Sequence, residues 1–197
     1  MPSLFLQTWG PLLVVLHTLG AIVLSGSSVH QALLSIQLLR RKQVRFGLLR
    51  IYALTTLCAY LATTLAGALL YPRYRVLIRA LFLDRHAPWA ANLFDWKENV
   101  ATIGLPLAVG ALLLASALSR ATRERRSAQP SPSEPARDER AGATDAQASD
   151  SDAASAIDDP TSDRAVLALY AVMAIGTALV TVGNVVAGIV VTSVRGA

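Results

Sequence analysis

Charged residues leave four long gaps in this chain, and the gaps decide what it can fold into. No Asp, Glu, Lys or Arg precedes Arg40, and none falls between Arg50 and Arg73, between Glu98 and Arg120, or between Arg164 and Arg195. Each gap is long enough for a helix across hydrocarbon, which takes roughly 20 mostly apolar residues. A helix satisfies its own backbone in lipid, whereas a barrel would need a two-residue alternation that these unbroken runs lack. The sequence therefore predicts an all-α membrane protein with four transmembrane helices in a compact bundle. The spans fall over Pro11–Ile36, Leu48–Tyr71, Val100–Ser119 and Ala165–Val194.

Residues 1–120 carry the first three helices and include an ordered extracytoplasmic link over 72–99. Residues 121–164 form a disordered cytoplasmic loop, and 165–197 the fourth helix. The loop reading rests on its core from Ser127 to Asp163, which has no aromatic residue and is rich in Ala, Ser, Asp, Glu and Pro. Such a segment buries too little apolar area to offset chain entropy. The first span is read as a retained helix. A signal peptide has a basic start and a core of roughly 7–15 residues, and neither is found here.

Lys and Arg set the orientation. Arg40, Arg41, Lys42, Arg45 and Arg50 follow the first span, and Arg120, Arg123, Arg125 and Arg126 follow the third. The positive-inside rule puts both groups in the cytoplasm and both termini outside, and the Ala/Arg-rich composition points to a bacterial inner membrane. Trp9, Trp89 and Trp96 then share the outer headgroup layer. The net charge of +5 is explained by these flanks, so the expected partners are the lipid bilayer and a membrane protein, with no nucleic acid.

Small residues at four-residue spacing mark the helix contacts. They are Ala59, Thr63 and Gly67, with Ala62 and Ala66 beside them; Gly104 with Ala108 and Ala111 with Ala115; and Ala174 with Ala178 and Gly183 with Ala187. In the link, Pro72 should end the second helix, and Arg75–Arg85 reads as an amphipathic interfacial helix. Asp95-x-x-Glu98 has the form of a capping box before the third span. The competing reading of the link joins Asp84, His86, Asp95 and Glu98 as ligands of a hard or borderline metal.

The intramembrane polar residues are the remaining candidates. His17 and His30 lie thirteen residues apart on the first helix, about 20 Å along its axis, so one cofactor cannot touch both. This pattern resembles that of haem b proteins, where histidines near opposite ends of one helix hold two haems. The resemblance implies a second axial ligand for each haem. Depth counting offers Met173 to His30, a His–Met pair being known haem chemistry, and His86 is the other histidine open to His17. The same counting sets His17 level with Asn184, both facing the bundle interior, joined by a hydrogen bond or lining a small polar cavity.

No Walker-type loop, HExxH, GxSxG or CxxC occurs. The expectation is a non-enzymatic accessory or small-ligand-binding membrane subunit. The alternatives are a haem- or metal-binding redox subunit, or a small permease or channel lined by His17 and Asn184.

Overall fold

The computed structural model describes residues 8–40, 44–128 and 160–196. They form four long helices: α1 (Gly10–Leu39), α2 (Phe46–Tyr74), α3 (Pro88–Ala128) and α4 (Pro160–Gly196). All four are long and apolar enough to cross a bilayer. Each packs on two neighbours, α1 on α2 and α4, and α3 on α2 and α4, so they close a square in chain order.

The distribution of side chains is that of a bundle solvated by lipid. Many of its most buried positions are small: Ala53, Ala108, Ala111, Ala115 and Ala174 are at most 1% exposed, while Leu65, Leu113, Val172 and Leu179 are 64–70% exposed. Water would select the reverse arrangement, because apolar area gains by leaving it. Hydrocarbon gives no such preference, and close backbone approach through small residues takes over. The chain is a multi-pass membrane protein.

Most of the expected contact glycines and alanines meet a neighbouring helix. Gly67 lies against the His17 ring, Gly104 against Tyr60, and Ala59, Ala66, Ala108, Ala111, Ala115, Ala174, Ala178 and Ala187 are buried. Gly183 and Ala62 are exceptions: a Cβ at Gly183 would meet nothing within 4 Å, and Ala62 is exposed, so both face outward. The spacing of Gly183 to Ala187 has the right period, but period alone does not say which side a pair faces.

The link over 72–99 is ordered, but it is built differently from the expectation. Pro72 lies inside α2 and does not end it. Proline removes one backbone donor and crowds the carbonyl four residues back. The chain answers by widening: a π-helical stretch, Arg75–Leu83, begins three residues later, and the Asp84 N–H reaches back five residues to the Arg79 carbonyl. The helical run reaches His86, making 41 residues from Phe46, or nearly 60 Å at a helical rise. That is about twice the thickness of the hydrocarbon core.

Ala87 then turns the chain, with φ −147° and ψ 66°. Proline at 88 disfavours a helical residue before it and suits the first turn of α3. The link is therefore a helical hairpin that continues α2 and turns into α3, not a separate interfacial helix between them. Leu83, Ala87, Ala90, Ala91 and Val191 form its core, with Val194 and Tyr74 packed against them, so the end of α4 braces the tip. Asp95 falls in the interior of α3 and caps nothing. At the opposite end, α3 continues to Ala128 and α4 begins at Pro160, so both helices extend into the stretch expected to be disordered. The rest of that stretch lies outside the described residues.

Candidate functional site

The hairpin carries the acids and the third histidine, and its geometry assigns them to an ion pair. Arg79 reaches Asp95 with both guanidinium nitrogens, at 2.7 and 2.9 Å, and lies 3.8 Å from Asp84. The bond to Asp95 holds the Arg79 guanidinium even further up than usual. His86 stacks on Phe82 and donates its Nδ1 proton to the Phe82 carbonyl at 3.1 Å. Among the described residues no three of His, Cys, Asp and Glu gather around a space that could hold a metal ion. The expected set of Asp84, His86 and Glu98 is not assembled: Arg79 draws on Asp95 and Asp84, and His86 turns to the Phe82 carbonyl. An exposed bidentate pair contributes modestly, so Asp95→Asn should lower hairpin stability by about 0.5–1 kcal/mol. Arg79→Gln should match it, and hydrogen exchange over residues 75–98 measures both.

The haem pair is not assembled either. His30 is exposed, donates Nδ1–H to the Gly26 carbonyl at 2.8 Å, and stacks on Tyr52 of α2 with the rings 5.5 Å apart and within 9° of parallel. Met173 packs in the opposite direction, against Gly110 of α3 and the cluster around Ala111, Ala115 and Tyr170. Depth matching fixed one coordinate of this pair, and azimuth, the other, separates its members. His17 and His86 are further apart still. His17 sits at Thr63–Gly67, and His86 lies nineteen residues further along the same helical run, roughly 25 Å away.

His17 is held between α1 and α2. Its Nδ1 is 3.0 Å from the Thr63 carbonyl, which can only accept, so Nδ1 carries the proton and Nε2 keeps a lone pair in the neutral ring. Asn184 bonds within its own helix, Nδ2–H to the Val180 carbonyl at 2.8 Å, and its buried Oδ1 has no partner. The two side chains do not bond to each other.

A polar seam does run along the bundle interior, through residues that the sequence reading did not single out. Ser27, Ser28, Gln31 and Ser35 of α1, Thr56 of α2, and Thr177 and Thr181 of α4 are all buried, and Tyr170 is fully so. Gln31 lies against Tyr170. This contact sets the register of α1 and α4: fourteen residues on from each, antiparallel helices bring His17 and Asn184 to one level. The seam covers about 12 Å of helix on α1, from Ser27 to Ser35, and about 21 Å on α4, from Tyr170 to Asn184.

The hydroxyls spend their protons locally. Ser28 donates to the Ser25 carbonyl at 3.1 Å, Ser35 to Ala32 at 2.7 Å and Thr177 to Met173 at 2.8 Å. Thr56 crosses to the Ser27 oxygen at 3.0 Å, and Ser27 donates to Leu24. This is the usual local competition of Ser and Thr for backbone carbonyls. It leaves oxygen lone pairs as the polar surface of the seam.

Hydrogen-bonding capacity is left over at five further points. Both amide atoms of Gln31, the Tyr170 hydroxyl, the Thr181 and Thr63 hydroxyls and the Asn184 carbonyl oxygen are buried without a partner. Gln31 and Tyr170 are decisive, being 1% and 0% exposed and near enough to interact with each other without forming a hydrogen bond of good geometry. The sequence carried a signal for Gln31. It is an amide inside a charge-free run, with Ser28 three residues before it and Ser35 four after, the spacing of one helix face.

No protein-family model, no curated protein and no solved structure matches this chain.

Proposed function

We propose that this chain is a non-enzymatic membrane subunit whose seam between α1 and α4 takes up small, neutral, hydrogen-bonding molecules, water being the smallest. The observation that carries this reading is the facing pair Gln31 and Tyr170, fully buried, close enough for the amide to interact with the phenol oxygen and yet without a well-formed hydrogen bond on any of their three polar atoms. Leaving such an atom bare costs about 1–3 kcal/mol. A guest that both donates and accepts relieves the cost, and buried waters make about three such bonds. The seam carries no formal charge, which suits a neutral guest better than an ion.

The length of the seam supports a second reading, a small permease for the same class of guest. Polar side chains recur through it on α1 and α4, ending at Asn184 on the hairpin side and at Ser35 on the other. The redox alternative is left without an assembled ligand pair. For orientation, the arginine-rich end that holds Arg40, Arg45, Arg120 and Arg123 belongs in the cytoplasm of a bacterial cell. The hairpin and both termini then stand outside its inner membrane.

Osmotic swelling of proteoliposomes tests permeation. Vesicles with the protein should take up urea and water several-fold faster than protein-free vesicles, and Gln31→Leu should return them to the blank. Equal rates with and without protein would remove the permease and leave only binding, which magnetisation transfer between water and the Gln31 amide decides separately.

A further inference from the structure

An open groove marks one part of the bundle's lipid-facing exterior. It runs between α1 and α2 with a volume of about 600 Å³, walled by Leu16, Leu19, Val23 and Leu54 and floored by small residues such as Gly20 and Ala59. Cys58, the chain's single cysteine, is exposed on it. The same face continues toward the arginine-rich end. Leu16, Val23 and His30 are spaced by sevens on α1, and Tyr52 stands seven residues before Ala59 on α2, so each set shares a side of its helix.

There the face turns polar. His30 is exposed on it and stacked with Tyr52, and a Cβ on the neighbouring Gly26 would meet nothing within 4 Å. Nδ1 of His30 is already bonded to Gly26, which leaves Nε2 as an acceptor in the neutral ring. The Tyr52 hydroxyl is a donor that makes no hydrogen bond among the described residues. His30 lies inside an apolar stretch, ten residues before Arg40, and Tyr52 stands at the edge of one, two residues after Arg50; a bare polar group is costly in hydrocarbon.

We propose that two copies of this chain pair through this face, about a two-fold axis along the membrane normal. The hydrogen-bonding chemistry selects a second copy over other occupants. An acyl chain would fill the groove but could bond neither Nε2 nor the tyrosine hydroxyl. A second copy supplies both complements at the right depth, because stacking sets His30 and Tyr52 at one level. A two-fold axis along the normal preserves level, so Tyr52 of each copy donates to His30 of the other, the reciprocity that an isologous interface requires. The small groove floor and open Gly26 permit the close approach that drives helix association in lipid. This pairing uses the outer face of α1 and α2 and is independent of the interior seam.

The test is energy transfer between full-length chains labelled at the N-terminal amine, in liposomes of phosphatidylethanolamine and phosphatidylglycerol over a range of protein-to-lipid ratios. The expected result is a saturable dimer. His30→Leu and Tyr52→Phe should each weaken it about tenfold, since each removes two symmetric interhelical bonds of the size found in membranes. Both positions are at the surface, so the monomer fold should survive, as unfolding in detergent would show. A short bismaleimide should join the dimer through Cys58, placing the interface on this groove. Monomers at every ratio, a dimer indifferent to both substitutions, or a dimer that does not cross-link at Cys58 would each overturn the proposal.

Discussion

Replacing Gly104 by alanine is expected to cost the bundle about 1–3 kcal/mol, the range for overpacking a filled interior. A Cβ at that position would lie 2.8 Å from Cε2 and Cζ of the Tyr60 ring. The ring cannot slip aside cheaply. It is buried, it packs with Leu24 and Ala59, and its hydroxyl donates to the Ala101 carbonyl across the α2–α3 contact. Relief therefore means rotating a rigid side chain and giving up an interhelical bond. Reversible unfolding in mixed micelles reads the loss directly. A double-mutant cycle with Tyr60→Leu identifies the cause, since a clash with Tyr60 requires the two changes to be strongly non-additive. Simple additivity would mean that Gly104 matters for some reason other than this ring.

The second large effect concerns Gln31, where the sign is as informative as the size. If the seam holds a guest, Gln31→Leu removes its amide partner and strands the Tyr170 hydroxyl. The expected loss is about 1–3 kcal/mol. Adding Tyr170→Phe should then recover most of that loss, because taking away both members of a buried polar pair is far less costly than taking away one. If the seam were bare, Gln31→Leu would instead stabilise the bundle by removing two unsatisfied atoms from hydrocarbon. The two variants, unfolded under the same conditions, separate these cases.

The architecture was legible because one property, the absence of charge, had to persist over each span. Helix ends were less so. Pro72 reads as a stop in any local rule, yet the helix passes through it into a π-helical stretch, since its neighbours in the hairpin hold it upright. Asp95 and Glu98 have the spacing of a cap, but a cap needs a helix to begin there, and α3 begins seven residues before Asp95, at Pro88. What located the helix start was Ala87-Pro88, a weaker motif with a stronger steric reason.

The candidate site shows the same division between one coordinate and two. Counting residues along a span gives depth, and depth set His17 level with Asn184, yet the structure holds His17 at Thr63 and Gly67 of α2 and bonds Asn184 within α4. It equally suggested His30 with Met173, which share a depth but face α2 and α3. Azimuth was available from the 3–4 spacing of Ser28, Gln31 and Ser35, whose common face is the buried one. Histidine drew attention because it ionises, whereas the residue with the largest unmet hydrogen-bonding capacity is an uncharged glutamine.

That capacity is best tested at the Gln31 side-chain amide itself, by magnetisation transfer from water in chain labelled with ¹⁵N-glutamine and reconstituted in lipid. The amide resonance that disappears in Gln31→Leu should show a direct cross-peak to water, though the residue is only 1% exposed. A Gln31 amide that exchanges magnetisation with Tyr170 and its protein neighbours alone, and never with water, would contradict a seam that holds polar guests.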